Sequence, residues 1–182
     1  MKFLSILSPI LVLLVFLPSS LSSSSSSAQV LINNVCNQVT NYTFCVEILN
    51  SDPRAQDPNA DNNILAYISF GLAFQNATDT LSHIKYLLKN ATRNKDVLDS
   101  MEGLQKCKSD YSKAVSSVEE AYNELNSETY SGLADLVSVA SKAAAACEGA
   151  FNNTTRGSPL RDRNNGLRGL CEICVVVSNL LT

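Results

Sequence analysis

The arrangement of the six cysteines constrains this 182-residue chain more than any other feature. Cys36 and Cys45 can close a short loop, whereas Cys107 and Cys147 lie far apart in sequence that has a helical period. All of them follow an apolar N-terminal segment. Such a framework is typical of small exported proteins, in which disulfides supplement the hydrophobic core.

The N-terminal segment has the composition of a secretory leader. The segment begins with the positively charged residue Lys2 and continues with the apolar run 3–17. A serine tract follows and ends at Ala28. The apolar run is short for a membrane span, and the small residues after it suit a signal peptidase. We therefore expect a signal peptide over residues 1–28 and one domain over residues 29–182. A membrane anchor is the alternative interpretation, but no second long apolar stretch follows.

Acceptor sequons for N-glycosylation agree with export. The candidate asparagines are Asn41, Asn76, Asn90, Asn152 and Asn153. One sequon alone is weak evidence, but several behind a leader support each other. We expect an exported glycoprotein that uses some of these sites.

Apolar residues recur every three or four positions in the exported part, which predicts four helices. They span about residues 61–89, 95–126, 127–151 and 159–181. Ser127 is expected to cap the third helix, and Ser158 and Pro159 to begin the fourth. Gly71 and residues 76–80 have low helix propensity and weaken the middle of the first predicted helix. Because the connections are short, the predicted class is all-α, an up-down-up-down four-helix bundle after an N-terminal helical hairpin.

The predicted bundle suggests how the cysteines pair. If the chain reverses near Ser127, Cys107 lies about 20 residues before the reversal and Cys147 about 19 after it, at the same level of the bundle. A bridge between them is therefore natural, and Cys36 and Cys45 can clasp the hairpin. Sequence alone leaves fifteen possible pairings of six cysteines, so this connectivity is a hypothesis.

Cys171 and Cys174 form a Cys-x-x-Cys pair, which in other settings serves redox chemistry or binds metal. Here the pair lies late in a predicted helix, and no second Cys or His pair completes four ligands. We interpret both residues as small apolar thiols beside the core. A thiol oxidoreductase would depend on this pair alone.

The sequence lacks a recognisable set of catalytic residues. His83 is its one histidine, and it contains no Gly-rich elbow, P-loop or dinucleotide fingerprint. The net charge is −3 without a basic run, which argues against a nucleic-acid partner. Asp110, Glu119 and Glu120 are interpreted as a solvated helix face, and Tyr111 as a core residue. We expect no enzyme activity, no metal and no cofactor. We expect instead an interaction domain that presents a surface to a partner.

Four segments carry a family pattern. Residues 36–49 contain Cys, Thr, an aromatic residue, a second Cys and a Leu, and residues 104–114 contain Cys-x-x-x-Tyr. Residues 140–151 are rich in Ala and end in Cys and an aromatic residue, and residues 178–181 close the last helix. Together these segments resemble the plant invertase and pectin methylesterase inhibitor family over about residues 30–181.

The resemblance implies a two-disulfide inhibitor that binds a protein target and occludes it. The implied pairs are Cys36 with Cys45 and Cys107 with Cys147. The implied targets are pectin methylesterase and cell-wall or vacuolar invertase, and the implied location is the apoplast or cell wall, ahead of the vacuole. No nucleic acid and, after leader removal, no membrane is expected as a partner. The alternative is a non-inhibitory helical-bundle protein of the apoplast that binds a ligand or signals.

The tripeptide that contacts the target in invertase inhibitors is changed in this chain. In those proteins a Pro-Lys-Phe sequence after the second bundle helix reaches into the target's active site. Counting back from Cys147, this place is held by Tyr130-Ser131-Gly132. The change removes a charge and an apolar anchor from the implied contact.

The same region resembles the pollen-allergen branch of the family, through residues 127–130 and residues 52–54. The residues expected to contact the partner are Glu128, Tyr130, Ser131, Gly132 and Asp135. Because carboxylates lose charge towards about pH 4–5, we expect the affinity for the target to depend on pH.

Overall fold

The computed structural model describes residues 26–90, 100–152, 154 and 157–182. Its helices are α1 (Ser27–Cys36), α2 (Tyr42–Asn50), α3 (Asn62–Asn90), α4 (Met101–Asn126), α5 (Leu133–Gly149) and α6 (Arg161–Asn179), with a 3-10 turn at Pro53–Gln56. Within these described ranges the chain forms helices and no strand. The prediction of an all-α fold is therefore confirmed.

Helices α3 to α6 form the predicted four-helix bundle. Each packs against its neighbour in sequence, and α3 closes the ring by packing against α6. On α4 the buried residues keep a spacing of three and four: Leu104, Cys107, Tyr111, Ala114, Val118, Ala121 and Leu125. This spacing places one continuous stripe in the core. Phe70 on α3 and Phe151, just after the end of α5, are also buried in the core.

The N-terminal hairpin is formed by α1 and α2, as predicted. A disulfide joins Cys36 to Cys45, with the Cα atoms 5.5 Å apart. The Oδ1 atom of Asn41 accepts a hydrogen bond from the backbone N–H of Phe44 (3.1 Å) and so caps α2. Phe44 lies over Gly169 of α6, where an added Cβ would come within 2.7 Å of its ring. The missing side chain at Gly169 thus lets the hairpin dock closely on the bundle.

The second disulfide joins the middle of the bundle. It links Cys107 on α4 to Cys147 on α5, with the Cα atoms 4.6 Å apart. Both predicted pairings are therefore confirmed. Cys171 and Cys174 are buried and reduced on α6, which agrees with their interpretation as apolar thiols beside the core.

The predicted start of the third bundle helix is wrong. Ser127 does not cap α5 but ends α4, and its backbone N–H donates to the carbonyl of Asn123 (3.1 Å). Glu128 and Gly132 then take positive φ angles of 55° and 101°, which no α-helix allows. For this reason α5 begins only at Leu133.

Other boundaries differ less. The middle of α3 is not interrupted, because the helix continues through Gly71 and residues 76–80. The last helix begins at Arg161, and the Ser158 hydroxyl accepts the N–H of Leu160 ahead of it. Residues 95–99, predicted as helix, lie outside the described part.

The structure describes only the end of the predicted leader. Ser26 caps α1 through its hydroxyl, which accepts from the N–H of Gln29 (3.2 Å), and Ala28 is buried in the core. Residues 26–28 are thus part of the hairpin, and residues 1–25 lie outside the described part. Among the helices described, none is long and apolar enough to cross a membrane.

Candidate partner-contact site

The loop between α4 and α5, residues 127–132, contains four of the five predicted contact residues. It begins where α4 ends, since the left-handed conformation of Glu128 turns the chain away from the helix axis. The backbone N–H of Thr129 then donates to the carbonyl of Glu124 (2.9 Å), which satisfies one of the last carbonyls of the helix. The loop is therefore a defined structure at one end of the bundle.

Tyr130 is the anchor of this loop. It is half-buried against the core, and its hydroxyl donates to Oδ1 of Asn63 at the beginning of α3 (3.2 Å). Two residues later, Gly132 takes a φ of 101°, and Leu133 is completely buried. The loop is thus fixed by a side chain in its middle and by the core at its end.

The other predicted contact residues are exposed. Glu128, Ser131 and Gly132 are exposed on the loop, and Asp135 is exposed in the first turn of α5. The structure therefore brings the five predicted residues into one region, with Tyr130 turned against the protein and the remaining four accessible. Their contact with a partner stays a prediction.

Glutamates from the end of α4 stand beside the loop. A groove of about 460 Å³ is lined by Glu119, Glu120 and Glu124 together with Ser127 and Thr129. One carboxylate oxygen of Glu124 is buried without a hydrogen-bond partner. We call the five carboxylates of Glu119, Glu120, Glu124, Glu128 and Asp135 the acidic end of the bundle.

The sequence pattern assigned Glu119 and Glu120 only to a solvated helix face, and it did not single out Glu124. Glu119 and Glu120 are indeed exposed. The spacing of Glu120 and Glu124 was the available signal, because residues four apart lie on the same face of a helix. The expectation that Asp110 faces solvent is wrong. Its side chain is buried, with the residue only 8% exposed, and its Oδ2 atom lies 2.7 Å from Nζ of Lys106. The lysine ammonium provides the charge that makes this burial tolerable.

The predicted glycosylation sites lie in different environments. Asn41 and Asn152 are exposed, while Asn76 and Asn90 are half-buried within α3. The Nδ2 atom of Asn90 donates to a backbone carbonyl one turn earlier (2.9 Å). Asn153 lies outside the described residues.

A polar network crosses the bundle at the end opposite the loop. The Tyr111 hydroxyl donates to Oδ1 of the fully buried Asn164 (2.9 Å), whose Nδ2 donates to Glu148 (2.7 Å). Arg161 also donates to Glu148 (3.2 Å). Burial alone would raise the pKa of Glu148, but the hydrogen bonds from Asn164 and Arg161 outweigh it and lower this pKa below its ordinary value. The network joins α4, α5 and α6 and so stabilises the fold.

The remaining reactive groups are poorly placed for chemistry. Burial raises the pKa of Cys171 to about 12 and that of Cys174 well above its usual range, so neither thiol ionises readily. His83 stacks on Tyr86, and burial, with a smaller effect of Arg163, lowers the pKa of its imidazole. In the described ranges, no three His, Cys, Asp or Glu side chains are grouped to hold a metal ion.

Comparison of the sequence with known protein families finds a match over most of the chain. The family model described as plant invertase/pectin methylesterase inhibitor matches residues 30–177. This chain belongs to that family. An Arabidopsis thaliana relative, cell wall / vacuolar inhibitor of fructosidase 2, is 34% identical over 175 residues, which is 94% of this chain and 93% of the relative. The pectinesterase inhibitor of Actinidia deliciosa is 30% identical over 174 residues, with 94% and 90% covered.

A solved structure agrees with the family assignment at the level of the fold. The crystal structure of a mutant form of a pectin methylesterase inhibitor from Arabidopsis superimposes with a TM-score of 0.72. The match covers 87% of this chain and 99% of the other at 23% identity. The family consists of enzyme inhibitors and not of enzymes, in agreement with the expectation of a domain that presents a surface.

Proposed function

We propose that this chain is a non-enzymatic protein inhibitor that binds a plant carbohydrate-active enzyme, either pectin methylesterase or an acid invertase, and occludes its substrate cleft. The observation that carries this proposal is the family match over residues 30–177. Relatives named as inhibitors of fructosidase and of pectinesterase, matched over nearly their whole length, support both target classes.

The acidic end is the surface that we assign to the target. It combines five carboxylates with the exposed loop residues Ser131 and Gly132. Interfaces of specific complexes bury roughly 1,600 Å² in total. Helix α4, with 26 residues, is about 40 Å long, so its exposed face and the loop supply a surface of the required size. A target surface with positive charge at the rim of its cleft would complement this end.

The structure of the loop favours a mode of inhibition in which the target's cleft is covered, and not one in which a side chain enters the cleft. The hydrogen bond to Asn63 holds Tyr130 against α3. Ser131 has a short side chain and Gly132 has none, so the tripeptide offers no long group that could extend into an active site. Binding therefore depends on the charge and shape of the whole acidic end.

Export is the second part of the proposal. We propose that a leader directs the protein into the secretory pathway and that its destination is the apoplast or cell wall. The cap at Ser26 and the buried Ala28 favour cleavage before Ser26, because cleavage after Ala28 would remove the cap and the first two residues of α1. N-terminal sequencing of the exported protein tests this point.

The inhibitory activity is tested by titrating purified pectin methylesterase and acid invertase with the exported protein at several pH values between about 4 and 7. Stoichiometric loss of activity of at least one enzyme is the expected result. An unrelated helical protein at equal concentration is the control. Full activity of both enzymes at micromolar inhibitor across this range would refute the proposal.

A further inference from the structure

Two glycosylation sequons are completely described by the structure, and their environments are opposite. Asn41-Tyr42-Thr43 lies at the beginning of α2, and Asn76-Ala77-Thr78 lies in the middle of α3. Both satisfy the Asn-x-Thr pattern equally. Structure, and not sequence, must therefore distinguish them.

All three residues of the first sequon are exposed. The Oδ1 atom of Asn41 is engaged in capping α2, where it accepts from the N–H of Phe44. Among the described residues, no hydrogen bond uses the Nδ2 atom of Asn41. The nitrogen that would carry a sugar is thus available, while the oxygen of the same amide keeps the helix cap.

Space for a sugar exists beside Asn41. A surface groove of about 660 Å³ is lined by Thr40, Asn41 and Phe44 from the hairpin and by residues of α5 and α6, including Gly169 and Val175. A first sugar on Asn41 could lie over this groove without displacing a helix. The disulfide between Cys36 and Cys45 spans this turn and holds it in place.

The second sequon is packed against α6, and its residues are half-buried or buried. Ala77 is completely buried, and Oδ1 of Asn76 and Oγ1 of Thr78 are buried without a hydrogen-bond partner. The Nδ2 atom of Asn76 lies 3.3 Å from the position that a Cβ would occupy at Gly166 of α6. A sugar on this nitrogen would lie directly against α6 at Gly166 and would press on the close packing between α3 and α6.

We propose that Asn41 carries an N-linked oligosaccharide and that Asn76 is unmodified in the folded protein. The proposal rests on the proposed export, because the donor is an oligosaccharide on a membrane polyprenyl diphosphate. Nδ2 of Asn41 forms the bond to the anomeric carbon, the bond from that carbon to the diphosphate oxygen breaks, the polyprenyl diphosphate leaves, and the amide nitrogen releases one proton. Transfer precedes folding, so a sugar on Asn76 would oppose the packing of α3 against α6 in every chain that carries it.

The test uses the full chain expressed and secreted by plant cells. Enzymatic removal of N-glycans in heavy-oxygen water converts each formerly glycosylated Asn into a labelled Asp, which peptide mass spectrometry locates. We expect the label at Asn41 and none at Asn76. Thr43→Ala should remove one oligosaccharide from the intact mass while it preserves the Asn41 cap, and the matched variant Thr78→Ala should leave the glycan mass unchanged.

Asn41→Asp provides a second control, because aspartate can keep the cap but cannot accept the sugar. A secreted, leader-free protein with unlabelled Asn41, or with label at Asn76, would overturn the glycan assignment and leave export intact. A chain that keeps its leader and carries no glycan on any sequon would overturn both. N-terminal sequencing of the same sample distinguishes the two failures.

Discussion

Two helix reversals of this protein, at the turn between α1 and α2 and at the loop between α4 and α5, are held in different ways. The turn between α1 and α2, residues 37–41, is closed by the disulfide between Cys36 and Cys45. In addition, the Glu172 carboxylate accepts hydrogen bonds from the N–H (2.8 Å) and the hydroxyl (2.7 Å) of Thr40. The loop between α4 and α5 has no such clasp and depends on backbone conformation and on the single anchor Tyr130.

The way in which each reversal is held favours the loop between α4 and α5 as the proposed binding surface. The first turn is closed by the disulfide within the hairpin and tied to α6 by the hydrogen bonds to Glu172, so its stability does not require unusual backbone angles. The second contains a non-glycine residue at positive φ, Glu128, and leaves its carboxylate exposed. Backbone strain of this kind is often retained at functional sites. This strain agrees with the proposal that the loop presents charge to a target.

Removal of a disulfide should have the largest effect on stability. We expect Cys107→Ala with Cys147→Ala to lower the free energy of unfolding by about 4 kcal/mol, because a loop of 40 residues is released. Cys36→Ala with Cys45→Ala releases a loop of nine residues and should cost about 3 kcal/mol. Urea unfolding of both variants measures the difference. A larger loss for the hairpin pair would contradict the expectation that the longer closed loop contributes more stability.

Filling the contact between the hairpin and α6 should have the next largest effect. Gly169→Ala places a Cβ 2.7 Å from the Phe44 ring and should cost roughly 1–3 kcal/mol. Gly149→Ala near the end of α5 is the matched control, since its nearest neighbour is 3.9 Å away, and it should stabilise by about 0.5–1 kcal/mol. Thermal unfolding of both proteins tests the pair. Equal stability would show that Phe44 is not held over Gly169.

The backbone of the loop between α4 and α5 gives two predictions of opposite sign. Gly132→Ala forces a side chain onto a residue with a φ of 101° and should cost about 1–2 kcal/mol. Glu128→Gly removes the strain at a φ of 55° and should leave stability unchanged or raise it by up to about 1 kcal/mol. Urea midpoints measure both. Destabilisation by Glu128→Gly would show that the side chain of Glu128 holds the loop.

The smallest effect concerns pH. The folded protein lowers the pKa of Glu148, so this group stabilises the fold above its ordinary pKa of 4.5, and the stabilisation is lost as the pH falls through the lowered value. In Glu148→Gln we expect a flatter decline of stability on acidification. Unfolding free energies from about pH 6 to pH 3 provide the measurement. Parallel curves for the two proteins would exclude this role of Glu148.

The bundle was predictable from the sequence because its core follows a simple repeat. The spacing of Leu104, Tyr111 and Val118 on α4 predicted the buried stripe, and the distances of Cys107 and Cys147 from the reversal predicted their pairing. These features depend on periodicity, which is local. The family resemblance led independently to the same disulfides.

The candidate site was predictable only in part. The exposed residues Glu128 and Asp135 were identified, but the loop was mistaken for the first turn of a helix because Ser127 is a favourable cap residue. The positive φ of Glu128 has no strong sequence signature, and the anchor between Tyr130 and Asn63 joins residues 67 positions apart. Contacts over such a distance are set by the packing of α3 beside the loop. The burial of Asp110 was missed because a charged residue was assumed to face solvent.

The role of the acidic end is tested most directly by one inhibition measurement on two charge-reversal variants. Glu128→Lys changes the loop, and Asp79→Lys makes the same change in charge at an exposed position in the middle of α3. The inhibition constant against the enzyme that the wild-type protein inhibits is the quantity compared. We predict that Glu128→Lys weakens inhibition by about tenfold or more, about 1.4 kcal/mol, while Asp79→Lys stays near wild type. Equal inhibition by both variants would contradict the assignment of the target to the acidic end.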